Sequence, residues 1–353
     1  MKRLIGICAA ALLVPVAAGA QVYPERMPAL QHNARATLLI SSYQGSDRRG
    51  NNREEQVDRT TRTFKLGEAG VLALGNIAGD IAITRATGAE TTVEIVKTAH
   101  GRDVDDARGM LQLVQVDVTE RAGRADIRAR YPGGDDSRRG NRRNINVSVA
   151  YNVTAPEGTR ITAESISGSV KVADIKGDVS ANSISGNIRI SGAGRVNAAK
   201  TISGTVEITD AKMDGALESS SVSGDVIVRR VTARRISASS VSGHIKFDDL
   251  QCERVSAKSM SGTVNYVGGL ARTGRYDFNS FSGEVRLILS GGVGFEVEAN
   301  SFSGSVSSDF DIVTRGQPGT QRGRQKVLIG TFGDGSAVLD LTTFSGSIVI
   351  SKR

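Results

Sequence analysis

The sequence predicts an all-β chain: a single-chain β-solenoid (β-helix) of about ten coils of ~20 residues, with a β-rich N-terminal capping module. Three observations carry this expectation. The pattern Ser/Thr-[Ile/Val/Met/Phe]-Ser-Gly-x-[Val/Ile] occurs nine times, with its glycines at Gly168, Gly186, Gly204, Gly224, Gly243, Gly262, Gly283, Gly304 and Gly346. Successive spacings are 18, 18, 20, 19, 19, 21, 21 and 42, and self-similarity at a fixed period of that size marks a repeat architecture. Within each unit, apolar and polar residues alternate with period two, as in Val179-Ser180-Ala181 and Ile188-Arg189-Ile190, which is strand patterning. The composition agrees. With 41 Gly, no Trp and 4% aromatics against 39% hydrophobic residues, a core must be built from Val, Ile, Leu and Ala, and wholesale disorder is excluded.

Residues 1–20 read as a secretory signal peptide. Lys2 and Arg3 supply the positive start, residues 4–16 the apolar stretch, and Ala18-Gly19-Ala20 the cleavage site. The protein is therefore expected to be exported, to the periplasm or cell surface of a bacterium. Cys8 lies inside that peptide, which leaves Cys252 as the only other thiol and excludes a disulfide framework. No later segment approaches 18 uninterrupted apolar residues, so no transmembrane segment is expected in the mature chain. Residues 21–60 are polar, rich in Arg, Asn and Gln, and without a period, so they read as disordered.

Residues 61–160 form the capping module. They hold a loose repeat copy, Asn76-Ile77-Ala78-Gly79-Asp80-Ile81, and one short helix over 104–115 with Asp103 as its N-cap. Strand-like runs follow over 113–119, 125–131 and 145–154. A cap is needed because an open coil edge invites strand addition.

Residues 161–353 carry the repeats. A unit of this size cannot bury its own apolar face, whereas stacked copies can. The column before Ser-Gly reads Ile166, Ile184, Ile202, Val222, Val241, Met260, Phe281, Phe302 and Phe344, and like stacked on like suggests an interior ladder. That assignment places Ile184 inward and requires a phase change near Asn182-Ser183. The doubled last spacing suggests a coil that lost its motif and gained a loop at 315–325. The glycine column marks a tight corner, or a site where a Cβ would meet the next coil. The paired serines, such as Ser183/Ser185 and Ser240/Ser242, read as structural hydroxyls bonding to neighbouring coils.

The chemistry-bearing residues are sparse. His32, His100 and His244 have no metal-ligand spacing, and no phosphate-binding or nucleophile-elbow motif occurs. Asp174, Asp178, Asp210, Asp214, Asp225, Asp248 and Asp249 lie on successive units and are read as falling at different repeat phases, so no convergent catalytic carboxylates are expected. No catalytic residue, cofactor or metal is expected. Net charge is +8. The basic runs, Arg48-Arg49 with Arg53 and Arg138-Arg139 with Arg142-Arg143, are loop charges without interleaved aromatics, so nucleic acid is not an expected partner. The candidate binding stripe is the variable column after Ser-Gly: Asn187, Thr205, Asp225, His244, Thr263 and Glu284.

The run of Ser-[Ile/Val/Phe]-Ser-Gly-x-[Val/Ile] units resembles the bacterial putative-adhesin β-solenoid family, an exported envelope domain of unknown function. Residues 333–348, ending Phe344-Ser345-Gly346-Ser347-Ile348, are similar to that family's usual ending. The resemblance covers about residues 64–351. It implies a β-solenoid in an exported envelope protein and carries over no catalytic residue. The expected function is that of a non-enzymatic adhesin or envelope scaffold that engages cell-surface polysaccharide or an envelope protein through an extended repetitive surface. The alternatives are a polymer-forming structural rod, joined through its coil ends, and a polysaccharide-active β-helix enzyme.

Overall fold

A computed structural model of the chain describes residues 53–67, 69–132, 145–314 and 326–353. The expected signal peptide, the segment 21–52, Cys8, His32, Arg48, Arg49 and the arginines at 138–143 lie outside the described residues. Residues 51–353 form one compact unit, and the described residues are almost wholly β. They build two long sheets, one of 13 strands and one of 14, each mostly parallel.

Each coil contributes one strand to each sheet. In the coil of Gly186, Asp178–Ser185 lies in the 14-stranded sheet and Ile188–Ser191 in the 13-stranded sheet, with Gly186-Asn187 as the corner between them. The next coil repeats this with Arg195–Ser203 and Val206–Thr209. Parallel pairing keeps equivalent residues side by side, as in Ile188 against Val206 and Val170. Ten such coils are present. The first, with strands Val71–Ala78 and Ile81–Arg85, is the loose motif copy, so the solenoid begins inside the region read as its cap.

Before and around this first coil, antiparallel strands close the N-terminal end. Glu54–Phe64 pairs with Thr91–Gly101, and Thr91–Gly101 with Val147–Ala155, in one sheet. Gln115–Arg121 pairs with Arg124–Arg130 at the edge of the other. The strand Glu54–Phe64 corrects the reading of 21–60 as disordered, because its last residues are hydrogen-bonded strand; alternation of Thr and Arg there gave no apolar period. The helix spans Val104–Leu113, and the Asp103 side chain accepts the Asp106 amide at 2.7 Å, as an N-cap should.

The C-terminal end departs from the expected order. Strands Ala337–Ser345 and Ile348–Lys352 insert between the coil of Gly283 and the coil of Gly304. The segment after the loop, Val327–Phe332, then runs antiparallel to Phe295–Ser301 and covers the end of the sheet. The doubled spacing is therefore not a degenerate coil. It is a capping hairpin arm followed by return of the chain to the stack.

The core is a set of inward ladders. Val170, Ile188, Val206, Val226, Ile245, Val264 and Val285 are completely buried in one column, and Ile161, Val179, Val196 and Leu217 in another. Aromatics enter in the later coils, where Phe247, Tyr266, Tyr276 and Phe278 pack with ring centroids 5.4–6.4 Å apart. Each buried tyrosine hydroxyl has a partner: Tyr266 donates to the Gly269 carbonyl at 2.6 Å, and the Tyr276 oxygen accepts the Ala271 amide at 2.8 Å. Burial pushes both hydroxyls well above the usual tyrosine range.

Candidate binding face

The residues before Ser-Gly are outside, not inside. Ile166, Ile184, Ile202, Val222, Val241, Met260, Phe281, Phe302 and Phe344 all face solvent, from 43% exposed at Val241 to 67% at Phe302. This overturns the interior-ladder assignment. Alternation is unbroken from Asp178 to Ile184: Val179, Ala181 and Ser183 point inward, so Ile184 points out. No phase change occurs near Asn182-Ser183.

The glycine explains why. A Cβ on Gly186 would fall onto the carbonyl of Gly168, and one on Gly204 onto the carbonyl of Gly186. Coils approach so closely at this corner that only glycine fits, and their carbonyls turn toward the narrow inner angle. An inward side chain there must be small and must donate a hydrogen bond. Serine and threonine satisfy both needs. Ser221 donates to the Gly204 carbonyl at 2.9 Å, Thr201 to Gly186 at 3.0 Å, Ser240 to Gly224 at 3.0 Å, and Thr343 to Gly283 at 3.2 Å. The first serine of each pair is thus a structural hydroxyl inside the rod, and the apolar residue that follows it is forced to the surface.

The outcome is an apolar ladder on the outer face of the 14-stranded sheet, continued by Ile77 on the first coil. Phe344 lies stacked between Phe281 and Phe302, at centroid distances of 4.9 and 4.8 Å and interplanar angles of 1° and 7°. Stacking covers both faces of the Phe344 ring and leaves ring edges toward solvent. At the end of the ladder, the exposed Val327 and Ile329 lie opposite Asn300 and Glu298 on the neighbouring strand. Ten large apolar side chains, each about half exposed, amount to on the order of 800 Å², beyond the ~300–600 Å² of the largest patch on a typical monomer.

The stripe expected from sequence occupies the adjoining corner, one residue per coil. Asn187 and His244 are exposed, while Thr205, Asp225, Thr263 and Glu284 are half-buried. Several of these side chains are engaged by the rod itself. Asn187 Oδ1 accepts the Thr205 amide at 2.8 Å, Asp225 Oδ1 the His244 amide at 2.8 Å, and His244 Nδ1 the Thr263 amide at 3.1 Å. Glu284 is held by the Arg286 guanidinium at 2.9 Å. The Asn187, Asp225 and His244 bonds tie one coil to the next at the glycine corner, whereas the Glu284 pair stays within its own coil.

The aspartates on successive units have a backbone reason. Asp174, Asp210 and Asp249 share one column at the opposite corner, all with φ between 49° and 59°, beside Gly192 and Arg230 in the same conformation. Aspartate tolerates this left-handed geometry better than most residues. Asp210 is in addition clamped by Arg230 at 2.7 and 2.8 Å, which lowers its carboxyl below the usual range. The true carboxylate neighbours were not legible as a group: Asp277, Asp340 and Glu298 lie side by side on the outer face of three adjacent strands. Partial burial and the two flanking carboxylates raise the Asp340 carboxyl. Among the described residues, no three His, Cys, Asp or Glu side chains are placed to hold a metal ion, and no helix is long and apolar enough to cross a membrane. Cys252 is buried, its Sγ 3.0 Å from the Arg254 carbonyl, and burial pushes the thiol up.

The sequence profile of the Toastrack DUF4097 family matches residues 79–351. The chain belongs to this family. The Toastrack match takes in nine of the ten coils and the C-terminal return. Solved structures similar to this Toastrack chain include a putative adhesin from Bacteroides fragilis, at 15% identity over 84% of this chain and 97% of that one, with a TM-score of 0.38. A putative lipid binding protein and a putative adhesin, both from Parabacteroides distasonis, are 12% and 9% identical over the same shares, with TM-scores of 0.40 and 0.37. No curated protein matches the chain.

Proposed function

We propose that this protein is an exported, non-enzymatic adhesin or envelope scaffold that binds through the outer face of its 14-stranded sheet. The observation that supports this most is the solvent-facing ladder from Ile77 to Phe302, which repeats one apolar side chain per coil along the whole stack. A core-forming role does not account for it, because complete columns of Val and Ile already fill the interior. Repetition at the inter-strand step of ~4.8 Å suits an extended partner, gripped by many equivalent weak contacts. Such binding depends on the number of contacts and not on one anchor. The names of the similar solved structures, adhesins and a lipid binding protein, are in keeping with surface binding.

The antiparallel strands at both ends of the 14-stranded sheet weigh against the alternative of a rod polymerised through its coil ends. The test is retention of the purified chain by envelope fractions. Serine replacements at Met260, Phe281, Phe344 and Phe302 should each weaken retention a few-fold, and the four together should abolish it. Loss of all retention from a single replacement, or turnover of an incubated polysaccharide, would replace this reading with a discrete site.

A further inference from the structure

The same outer face carries a second ladder, about 20 Å from the apolar one at ~3.3 Å per residue along the strand. Arg235, Arg254 and Arg275 are direct neighbours on three successive coils. All three are exposed, and none forms an ion pair among the described residues. Elsewhere on the rod the pattern differs. Arg189, Arg195, Arg229 and Arg230 each pair with a carboxylate on an adjoining coil. Like charges directly opposite each other across strands are destabilising, so three aligned guanidinium groups are a cost to the fold that an external anion would remove.

The surroundings favour an anionic guest. The next outward column reads Ser237, Ser256 and Asp277, and the one after it Ser239, Lys258 and Asn279. These coils thus present Arg234, Arg235, Arg254, Arg275 and Lys258 against two carboxylates, Glu253 and Asp277, with hydroxyls and an amide between. The apolar ladder offers a sugar little polar recognition: most of its side chains are aliphatic, and of its three rings Phe344 has both faces covered by stacking. The arginine ladder has what a charged glycan needs: forked donors that pair with carboxylate oxygens, spaced one inter-strand step of ~4.8 Å apart.

We propose that Arg235, Arg254 and Arg275 form a binding track for a linear acidic polysaccharide, with one carboxylate per sugar lying against successive guanidinium groups. This deepens the binding-rod reading and rests on it. Exposed ion pairs are worth little singly, so each Arg→Ser change should weaken binding about 2–5-fold and the triple change about 10–100-fold.

The experiment measures binding of the full chain to polygalacturonate at low and high salt, with dextran as the neutral control. Expected are binding to polygalacturonate that fades with salt, none to dextran, and loss in the triple variant. The triple variant should melt no lower than the parent, because a repulsive ladder has been removed. Equal binding to both polymers, or a triple variant that binds like the parent, overturns the proposal. So does capture by anionic phospholipid vesicles with no binding to polygalacturonate. If the triple variant still binds envelope fractions while the Met260/Phe281/Phe344/Phe302 variant does not, the binding face stands and the acidic-glycan track fails.

Discussion

Two ladders of nearly the same composition run along this molecule four residues apart in sequence, and they face opposite ways. Ile188, Val206, Val226 and Ile245 are fully buried, whereas Ile184, Ile202, Val222 and Val241 are 43–49% exposed. Both columns are aliphatic and both stack like on like. What separates them is the corner between. The glycine carbonyls crowd the inner angle, the side chain beside them is a hydrogen-bond donor, Ser or Thr in nine coils and Asn76 in the first, and strand alternation puts the following residue outside. The lesson is that an apolar column is not evidence of a core position until the polar column beside it has been given a place. Here the serines are inside because they bond backbone, and the isoleucines are outside because the serines are not.

The difference should be visible as free energy. Its sharpest form is the corner itself. Gly243→Ala would drive a Cβ into the Gly224 carbonyl, with no flexible side chain to give way. The cost should exceed ~4 kcal/mol and appear in urea titration as local or global unfolding. Next is a matched pair across the corner. Val206→Asp buries an unpaired carboxylate and should cost several kcal/mol, ~3 or more, while Ile202→Asp on the exposed ladder should stay within about 1 kcal/mol of the parent. Equal losses in the two would erase the distinction between the ladders.

Smaller effects refine it. Ser221→Ala removes the donor to the Gly204 carbonyl and should cost ~1–2 kcal/mol, the penalty for a buried acceptor left unmet. The outer carboxylates give the mildest change. Partial burial, Asp277 and Glu298 raise the Asp340 carboxyl, so the folded state holds this proton more tightly than the unfolded chain does. The resulting penalty is absent below the ordinary carboxylate range and sets in as pH rises through the raised native value. Asp340→Asn should therefore stabilise the fold slightly at pH 7, by well under 1 kcal/mol at this exposed position, seen as a small rise in Tm, and leave the Tm unchanged at pH 3.

Much of the fold could be read from the chain. The glycine spacing announced the coils, and Asp103 announced the helix start. The loose copy at Asn76–Ile81 turned out to be a complete first coil. Two things were not legible. The doubled spacing marks a detour but not that Ala337–Lys352 returns between earlier coils, because a parallel neighbour looks the same whichever chain segment supplies it. The outward turn of the Ile184 column was hidden because hydrophobicity outranks a serine hydroxyl in any periodicity count, though the glycine corner decides it in space. The expected stripe Asn187–Glu284 does form one column, but sequence reading did not foresee that Asn187, Asp225 and His244 hold backbone amides of the next coil. The arginine ladder went unnoticed because its members lie 19 and 21 residues apart, in line only once the coils are stacked.

The central claim is that the exposed ladder serves binding and not folding. It is tested most directly by replacing Ile184, Ile202, Val222 and Val241 together with threonine, and by measuring urea stability and envelope binding on the same preparation. The expected result is a folded protein within about 1–2 kcal/mol of the parent that no longer binds. Unfolding would place the ladder in the core after all, and full binding by a stable variant would remove it from the functional surface.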